Sequence, residues 1–293
     1  MKPILIIGST GQLGRELQQI ILPQGNAIAL GRSEIDLDQP DNLRHTIAEI
    51  QPQLIINAAA YTAVDKAESE LDQAIAINST APGIIAETAQ KLGAYLIHIS
   101  TDYVFDGKQS HPYRETDKTN PLGVYGQTKL AGEQAIRQNC ENHLIIRTAW
   151  VYGSYGKSNF VKTMLKLGTE REEIRVVADQ IGSPTWARDL ATAIAIIIPQ
   201  LTPQIAGTYH YTNSGVASWY DFAEAIFEEA RAIKYPLKIR QVIPITTADY
   251  PTPAQRPAYS VLACEKISQV LATKRPHWRQ ALRNMLKDFA AID

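Results

Sequence analysis

Tyr125 and Lys129 stand four residues apart in the segment Tyr125-Gly-Gln-Thr-Lys129. On a helix this spacing puts a phenol and an ammonium one turn apart on the same face. A free tyrosine has a pKa of about 10 and exchanges its proton sluggishly at neutral pH, whereas a neighbouring cation favours the phenolate and lowers that value. A tyrosine tuned in this way can trade a proton with a carbonyl or alcohol oxygen. The spacing alone also arises by chance on a solvated helix face. Two further features give it weight: a glycine loop from Gly8 to Gly14, and the hydroxyl pair Ser100-Thr101 at the end of an apolar run.

Gly8-Ser-Thr-Gly11-Gln12-Leu13-Gly14 follows a strand pattern and opens a helix pattern. Glycines there allow a tight turn, close approach of a pyrophosphate and close packing of helix on strand, and the helix N-terminus favours negative charge. After the second strand comes Gly31-Arg32, where an acidic residue would ordinarily take a ribose 2′-hydroxyl. A guanidinium suits a 2′-phosphate instead, which favours NADPH and leaves NADH use open. The competing reading of Arg32 is a solvated surface arginine. Asp36 and Leu37 are then placed to flank the adenine, Asp36 bonding its amino group and Leu37 packing on the ring. Asn57-Ala58-Ala59-Ala60-Tyr61-Thr62 ends the third strand; its small side chains let a dinucleotide lie against the backbone, and Thr62 can bond to it, although an alanine run also serves tight packing.

Ser100-Thr101-Asp102 ends the fourth strand, where a hydroxyl donor can bond a substrate oxygen on which charge develops during hydride transfer. Thr101, Tyr125 and Lys129 would then act as oxygen polariser, proton donor and a cation reaching the nicotinamide ribose. No metal-ligand spacing, nucleophile elbow or paired-histidine motif competes, and no metal is predicted.

The elements that must position these groups read as an α/β fold with a doubly wound, Rossmann-like parallel sheet and a smaller C-terminal lobe. Expected strands are 4–7, 27–30, 54–57, 95–100 and 144–148. Expected helices are 12–22, 41–50, 69–92 and 124–138, the third broken or kinked at Pro82. The dinucleotide domain is expected over 1–150, and 151–293 mainly as a substrate lobe with some chain passing back. There, 175–178 and 208–212 read as strands and 185–199 as a helix. Ser218 to Asp221 reads as a capping box opening a helix whose Phe222, Ala223, Ile226, Phe227 and Ala230 face a core, and 277–289 as a final helix. Pro236 to Pro257 reads only as a proline-rich stretch.

The chain has 293 residues with 29 basic and 30 acidic side chains, enough length for a full core and no excess charge for nucleic acid or an anionic membrane. Its two cysteines, Cys140 and Cys264, fit a reducing compartment, without deciding against a single disulfide. Ile4–Ile7 is too short for a signal-peptide core and 191–198 too short to span a bilayer, so a soluble cytoplasmic protein is expected.

The whole pattern resembles the dTDP-4-dehydrorhamnose reductases, a family of extended short-chain dehydrogenases/reductases. The words that carry the resemblance are Gly11-Gln-Leu-Gly-Arg-Glu-Leu17, Asn57-Ala-Ala-Ala-Tyr-Thr-Ala-Val-Asp-Lys-Ala-Glu68 and Ser100-Thr-Asp-Tyr-Val-Phe-Asp-Gly107. Tyr125-Gly-Gln-Thr-Lys-Leu-Ala-Gly-Glu133, Arg147-Thr-Ala-Trp-Val-Tyr152, Gly182-Ser-Pro-Thr185 and Pro253-Ala-Gln-Arg-Pro257 extend it over essentially the whole chain. The resemblance implies reduction of the 4-keto group of dTDP-4-dehydro-β-L-rhamnose to dTDP-L-rhamnose. It assigns Thr101 to the keto oxygen, Tyr125 to its proton, Lys129 to the nicotinamide ribose, and Asp102 and Trp150 to the border of the sugar. By itself Trp150 also has core packing as a competing reading, because an aromatic after a strand is common. Arg256 is the candidate for the substrate's phosphates. Magnesium at a subunit interface occurs in some relatives; Glu16 has no companion acidic cluster here, so Mg2+ rests on resemblance alone. The oligomeric state stays open, a homodimer included. Rival readings are a nucleotide-sugar epimerase or dehydratase, and a non-catalytic dinucleotide-binding regulatory subunit.

Overall fold

The computed structural model describes residues 2–292, so residues 1 and 293, the outer ends of the two expected domains, lie outside it. The main sheet has six strands: β1 (Ile4–Ile7), β2 (Ala27–Leu30), β3 (Leu54–Asn57), β4 (Tyr95–Thr101), β5 (His143–Thr148) and β6 (Gly207–His210). All neighbours run parallel in the order β6-β5-β4-β3-β1-β2. The chain steps from β1 outward to β2 and then crosses to β3 on the other side of β1. That reversal opens a crevice at the carboxyl ends of β1 and β3, where doubly wound sheets take their ligands.

These strands are continuous apolar runs because both faces of the sheet are covered. Ile6, Ile56, Ile97, Leu144 and Ile146 pack with Leu17 and Ile21 of α1 (Gln12–Ile21) and with Leu190 and Ile194 of helix Ala187–Ile197. Their strand neighbours Leu5, Ile7, Ile55, Leu96 and Ile145 point the opposite way. They pack with Leu43 and Ile47 of α2 (Pro40–Ile50), Ile85 of α3 (Ala81–Leu92) and Ile136 of α4 (Val124–Asn139). Each such side chain contributes about 1.5–3 kcal/mol on burial, so the two faces together hold the sheet.

A third cluster lies outside the sheet. Tyr152, Leu165, Phe222, Phe227, Trp278 and Leu282 join helices Phe160–Glu170, Trp219–Ala232 and Trp278–Ile292. Ser218 opens the middle helix with the expected capping box: its hydroxyl accepts the Asp221 N–H at 3.0 Å, and the Asp221 carboxylate accepts the Ser218 N–H at 2.9 Å. Phe222, Ala223, Ile226, Phe227 and Ala230 are all buried in this cluster.

Several expected elements shift. The 69–92 helix is three pieces: Leu71–Ile75, a π-helical turn Ala76–Thr80, and α3. The break precedes Pro82, which sits in the first turn of α3. Proline's ring collides with the carbonyl four residues earlier, so the ladder is disturbed ahead of it, not at it. The expected strand 175–178 is Glu173–Val177, 208–212 is Gly207–His210, and the 185–199 helix begins at Ala187 because Thr185–Trp186 pairs with Val151–Tyr152. The proline-rich stretch contains a strand, Gln241–Ile245, parallel to Glu173–Val177 with Pro244 inside it. Only those two strands form that sheet, so Pro244 sits on an edge, where its missing N–H is tolerated. Helices Phe160–Glu170 and Glu265–Leu271 are additional.

One carboxylate binds α4 to the sheet. Glu133 is fully buried; its Oε1 accepts from Ser100 Oγ at 2.6 Å and Arg147 Nε at 2.8 Å, and its Oε2 from Arg147 Nη2 at 2.7 Å and Arg137 Nη2 at 2.6 Å. Removing it would strand the buried guanidinium of Arg147. Glu133→Ala is expected to lose about 3–5 kcal/mol of stability in urea denaturation, and a loss below about 1 kcal/mol would contradict this reading of the contact.

Candidate active site at the strand ends

The glycine loop turns from β1 into α1 through backbone contacts that admit no side chain. Gly8 has φ +93°, and a Cβ there would lie 2.8 Å from the Ala59 nitrogen; a Cβ on Gly14 would lie 2.0 Å from the Gly8 carbonyl oxygen. Gly11 differs, because the nearest atom to its would-be Cβ is the Gly8 oxygen at 3.4 Å. The protein alone does not demand glycine at 11, whereas an anion seated against the loop would. Gly11 caps α1 without any side-chain hydrogen bond, so the first amides of the helix, at Gln12 and Leu13, are not taken by a capping side chain. The residues present therefore fit a pyrophosphate. The Gln12 side chain is itself engaged, its carbonyl accepting from Asn159 Nδ2 at 2.7 Å.

Arg32 is largely exposed and meets Asp36 at 3.5 Å, a loose surface pair that leaves the guanidinium available. Asp36 also accepts the Asp38 N–H at 3.1 Å. Leu37 is 7% exposed and belongs to the core beside Leu43 and Ile47, so little of its side chain is left for a base. Ala58, Ala59 and Ala60 are partly buried at the end of β3. Asn78, in the π-helical turn, fixes the next residue: its Oδ1 accepts the Tyr61 N–H at 2.9 Å and its Nδ2 donates to the Tyr61 carbonyl at 3.0 Å. The Tyr61 hydroxyl donates to Glu70, and Thr62 is exposed.

Thr101, Asp102 and Tyr125 converge. Thr101 Oγ1 donates to Asp102 Oδ1 at 3.0 Å and accepts the Tyr103 N–H at 3.2 Å, and it lies close enough to the Tyr125 phenol to favour its ionised form. Gly126 makes this possible, since a Cβ there would lie 2.2 Å from the Tyr103 carbonyl oxygen and hold α4 away from β4. The Tyr103 and Tyr125 rings meet edge to face at 5.4 Å. Glu68 accepts the Val124 N–H at 2.9 Å, anchoring the first turn of α4 immediately before Tyr125.

Lys129 reaches the same strand but not the phenol. Its Nζ donates to the Ile99 carbonyl at 2.8 Å and lies 3.2 Å from His98 Nε2. The expected lowering of the tyrosine is not what the site produces. Burial pushes Tyr125 up to about 12, against the Thr101 hydroxyl nearby, which lowers it. Burial also brings Lys129 down to about 8, against the attraction of Glu133. Desolvation outweighs the cation because the ammonium is turned toward a carbonyl of β4.

Trp150 has φ +48° and stacks on Trp219 with ring centroids 3.6 Å apart. A Cβ on Gly182 would strike its indole at 2.5 Å, so Trp150 is wedged between Trp219 and Gly182 while remaining partly exposed. Arg256 donates to Asp65 Oδ2 at 2.8 Å and to the Ala254 carbonyl at 3.2 Å. Asp65 and Glu68 lie in the Asn57–Glu68 word, yet no role for them was legible in the sequence. Their partners, Arg256 and Val124, lie 191 and 56 residues away. Thr148 is a further such residue, opposite Thr101 on β5, with a buried hydroxyl that has no partner among the described residues.

Glu16 is buried, and its Oε1 has no hydrogen-bond partner among the described residues. Its Oε2 accepts from Arg188 Nε at 2.9 Å, Arg188 also pairs with Asp288, and no group of three acidic, histidine or cysteine ligands occurs among the described residues.

Asp102 is 2% exposed, its Oδ1 accepts from Thr101 Oγ1 while its Oδ2 has no partner among the described residues, and burial pushes its carboxyl up to about 6, against the hydroxyls of Ser260 and Thr101 nearby. A raised carboxyl binds more protons folded than unfolded between about pH 4 and 6, so this group's contribution to stability falls as pH rises through that window. Asp102→Asn is expected to be more thermostable than the parent at pH 7, by as much as about 3 kcal/mol, with the gap closing below about pH 4. A variant less stable at pH 7 would contradict this.

The family described as "RmlD substrate binding domain" matches residues 1–291. The dTDP-4-dehydrorhamnose reductase of Escherichia coli K12 is 48% identical over 291 residues, covering 97% of each chain. The crystal structure of a dTDP-4-dehydrorhamnose reductase from Bacillus anthracis in complex with NADP superposes with a TM-score of 0.91 at 39% identity, over 98% of this chain and 99% of that one. A UDP-glucose 4-epimerase of Thermus thermophilus in complex with NAD has a TM-score of 0.82 at 18% identity over 99% of this chain and 100% of its own, and shares the fold alone. The chain thus belongs to the dTDP-4-dehydrorhamnose reductase family.

Proposed function

We propose that this protein reduces the 4-keto group of dTDP-4-dehydro-β-L-rhamnose to dTDP-L-rhamnose with NADPH. The observation that carries the reading is the meeting of Thr101, Tyr125 and Asp102 at the end of β4, on a chain whose relatives bear that activity in their names. Gly8, Gly11, Gly14 and the first amides of α1 would hold the pyrophosphate, Arg32 the 2′-phosphate and Lys129 the nicotinamide ribose. Ala58 to Thr62 would line the strand-end wall. Bound there, NADPH supplies the hydride.

The remaining work falls to the chain's own side chains. Thr101 would hold the keto oxygen. Tyr125, held at about 12, keeps its proton at neutral pH and surrenders it only to a stronger base, such as the alkoxide that forms at C4. A high tyrosine therefore suits the reducing direction. Asp102 and Trp150 would border the sugar, the third cluster would shape its lobe, and Arg256, preset by Asp65, would meet the diphosphate. The buried, unpaired thiols of Cys140 and Cys264 agree with work in the cytoplasm.

Tyr125→Phe is expected to lower kcat by about 10²–10⁴-fold with NADPH binding largely intact. Turnover within about threefold of the parent would mean that the proton comes from elsewhere. Arg32→Asp is expected to weaken NADPH by about ten- to a hundredfold while sparing NADH, as the loss of charge-assisted bonds requires. An unchanged NADPH-to-NADH preference in steady-state kinetics would remove the 2′-phosphate argument.

A further inference from the structure

Behind Lys129 lies a buried chain of polar groups that the proposed chemistry does not use. Asn57 on β3 and His98 on β4 are register partners, and Asn57, His98 and Lys129 are each at most 1% exposed. Asn57 Oδ1 accepts the Ala59 N–H at 3.2 Å, which turns its Nδ2 toward His98 Nδ1 at 3.1 Å. His98 Nε2 then lies 3.2 Å from Lys129 Nζ, and Lys129 donates to the Ile99 carbonyl at 2.8 Å.

Proton counting along this chain has one consistent solution. The Ala59 amide can only donate, so the Asn57 oxygen faces it and the Asn57 NH2 faces the imidazole. His98 Nδ1 must therefore accept, which places the ring proton on Nε2. That N–H points at Lys129, and only an unprotonated amine has a lone pair to receive it. An ammonium would set two donors face to face in a site without water's dielectric. Burial holds His98 well below its ordinary range, so the imidazolium form offers no escape.

We infer that His98 is a positioning residue for the proposed reduction: anchored by Asn57 to the Ala59 amide, it presents Nε2–H to Lys129 and selects the uncharged amine of that side chain. Charging Lys129 requires the ring proton to move to Nδ1 and the Asn57 amide to turn, which releases the Ala59 N–H. The protonation of Lys129 is thereby coupled to the backbone at the end of β3, on the wall proposed to face the dinucleotide. The other ionisable groups around Lys129 are Tyr125 and Glu133 on its own helix, at i−4 and i+4, with Arg147 of β5 and Arg137 behind Glu133 and Asp102 beyond Tyr125. Glu133 opposes the effect and is itself neutralised by the two guanidiniums. The functional consequence rests on the ketoreductase reading, whereas the proton positions do not.

The test uses the full chain without substrate. Histidine 15N–1H correlation spectra report the tautomer of His98, and 13Cε-labelled lysine reports the titration of Lys129, with His98→Gln and Lys129→Gln used for assignment. The expected result is a Lys129 midpoint near 8 and, about a pH unit or more above it, where the amine is uncharged, a proton on Nε2 of His98. In His98→Gln the new amide can turn its oxygen toward an ammonium, so the midpoint should rise by about one pH unit or more, a tenfold gain in proton affinity. The pH profile of kcat/KM should move with it. A ring proton that stays on Nδ1 above the Lys129 midpoint, a parental midpoint near the ordinary lysine value of about 10.4, or an unmoved midpoint in His98→Gln would overturn the inference. The tautomer is read on the parental chain, so a variant that fails to fold leaves the test intact. A catalytically silent protein with the expected spectra would count against the ketoreductase reading alone.

Discussion

The grip of the Glu133 carboxylate on Ser100 and Arg147 is the contact on which the site's geometry depends. It joins α4 to the two strands whose ends carry Thr101 and Thr148 through three hydrogen bonds to one buried side chain, and a fourth, from Arg137, comes from α4 itself. One turn earlier on the same helix face, Lys129 repeats the attachment through the Ile99 carbonyl. One turn earlier again, Tyr125 meets Thr101. The spacing 125, 129, 133 is thus a row of contacts between one helix face and one strand pair. Apolar packing alone tolerates sliding of a helix by fractions of a turn, whereas directional bonds at two points of the row do not.

Burial is the second constraint, and it acts in opposite senses on neighbouring groups. The desolvation that raises Tyr125 and Asp102 lowers Lys129 and His98, because in each case the charged form is the one penalised. The site accordingly rests with its proton on the phenol. This differs from the simple picture of a cation drawing the tyrosine down, which holds where ammonium and phenol face each other in a polar setting. Here the amine is directed to β4, and His98 and Ile99 receive it. The chemistry follows: a proton held firmly until an alkoxide appears suits reduction better than abstraction from an alcohol.

Legibility in the sequence followed the range of the interactions involved. Strands β1 to β5 could be read because both-sided burial leaves unbroken Ile and Leu runs, and the capping box at Ser218 because its partners are three residues apart. The glycine loop and the Tyr125–Lys129 pair were legible for the same reason. The π-helical turn was misplaced because Pro82 acts on the carbonyls before it. Gln241–Ile245 was missed because its pairing with Glu173–Val177 is non-local and its proline mimics a loop. Asp65, Glu68, His98 and Asn78 act on partners brought close only by the fold, so spacing along the chain carries no trace of their work.

The most direct measurement follows deuterium. The protein would be incubated with dTDP-4-dehydro-β-L-rhamnose and NADPH deuterated at the transferable position, and the sugar product examined by NMR. The expected result is one deuterium at C4 of dTDP-L-rhamnose for each NADPH oxidised. Turnover of the sugar without net NADPH consumption, or a product free of deuterium at C4, would contradict the account.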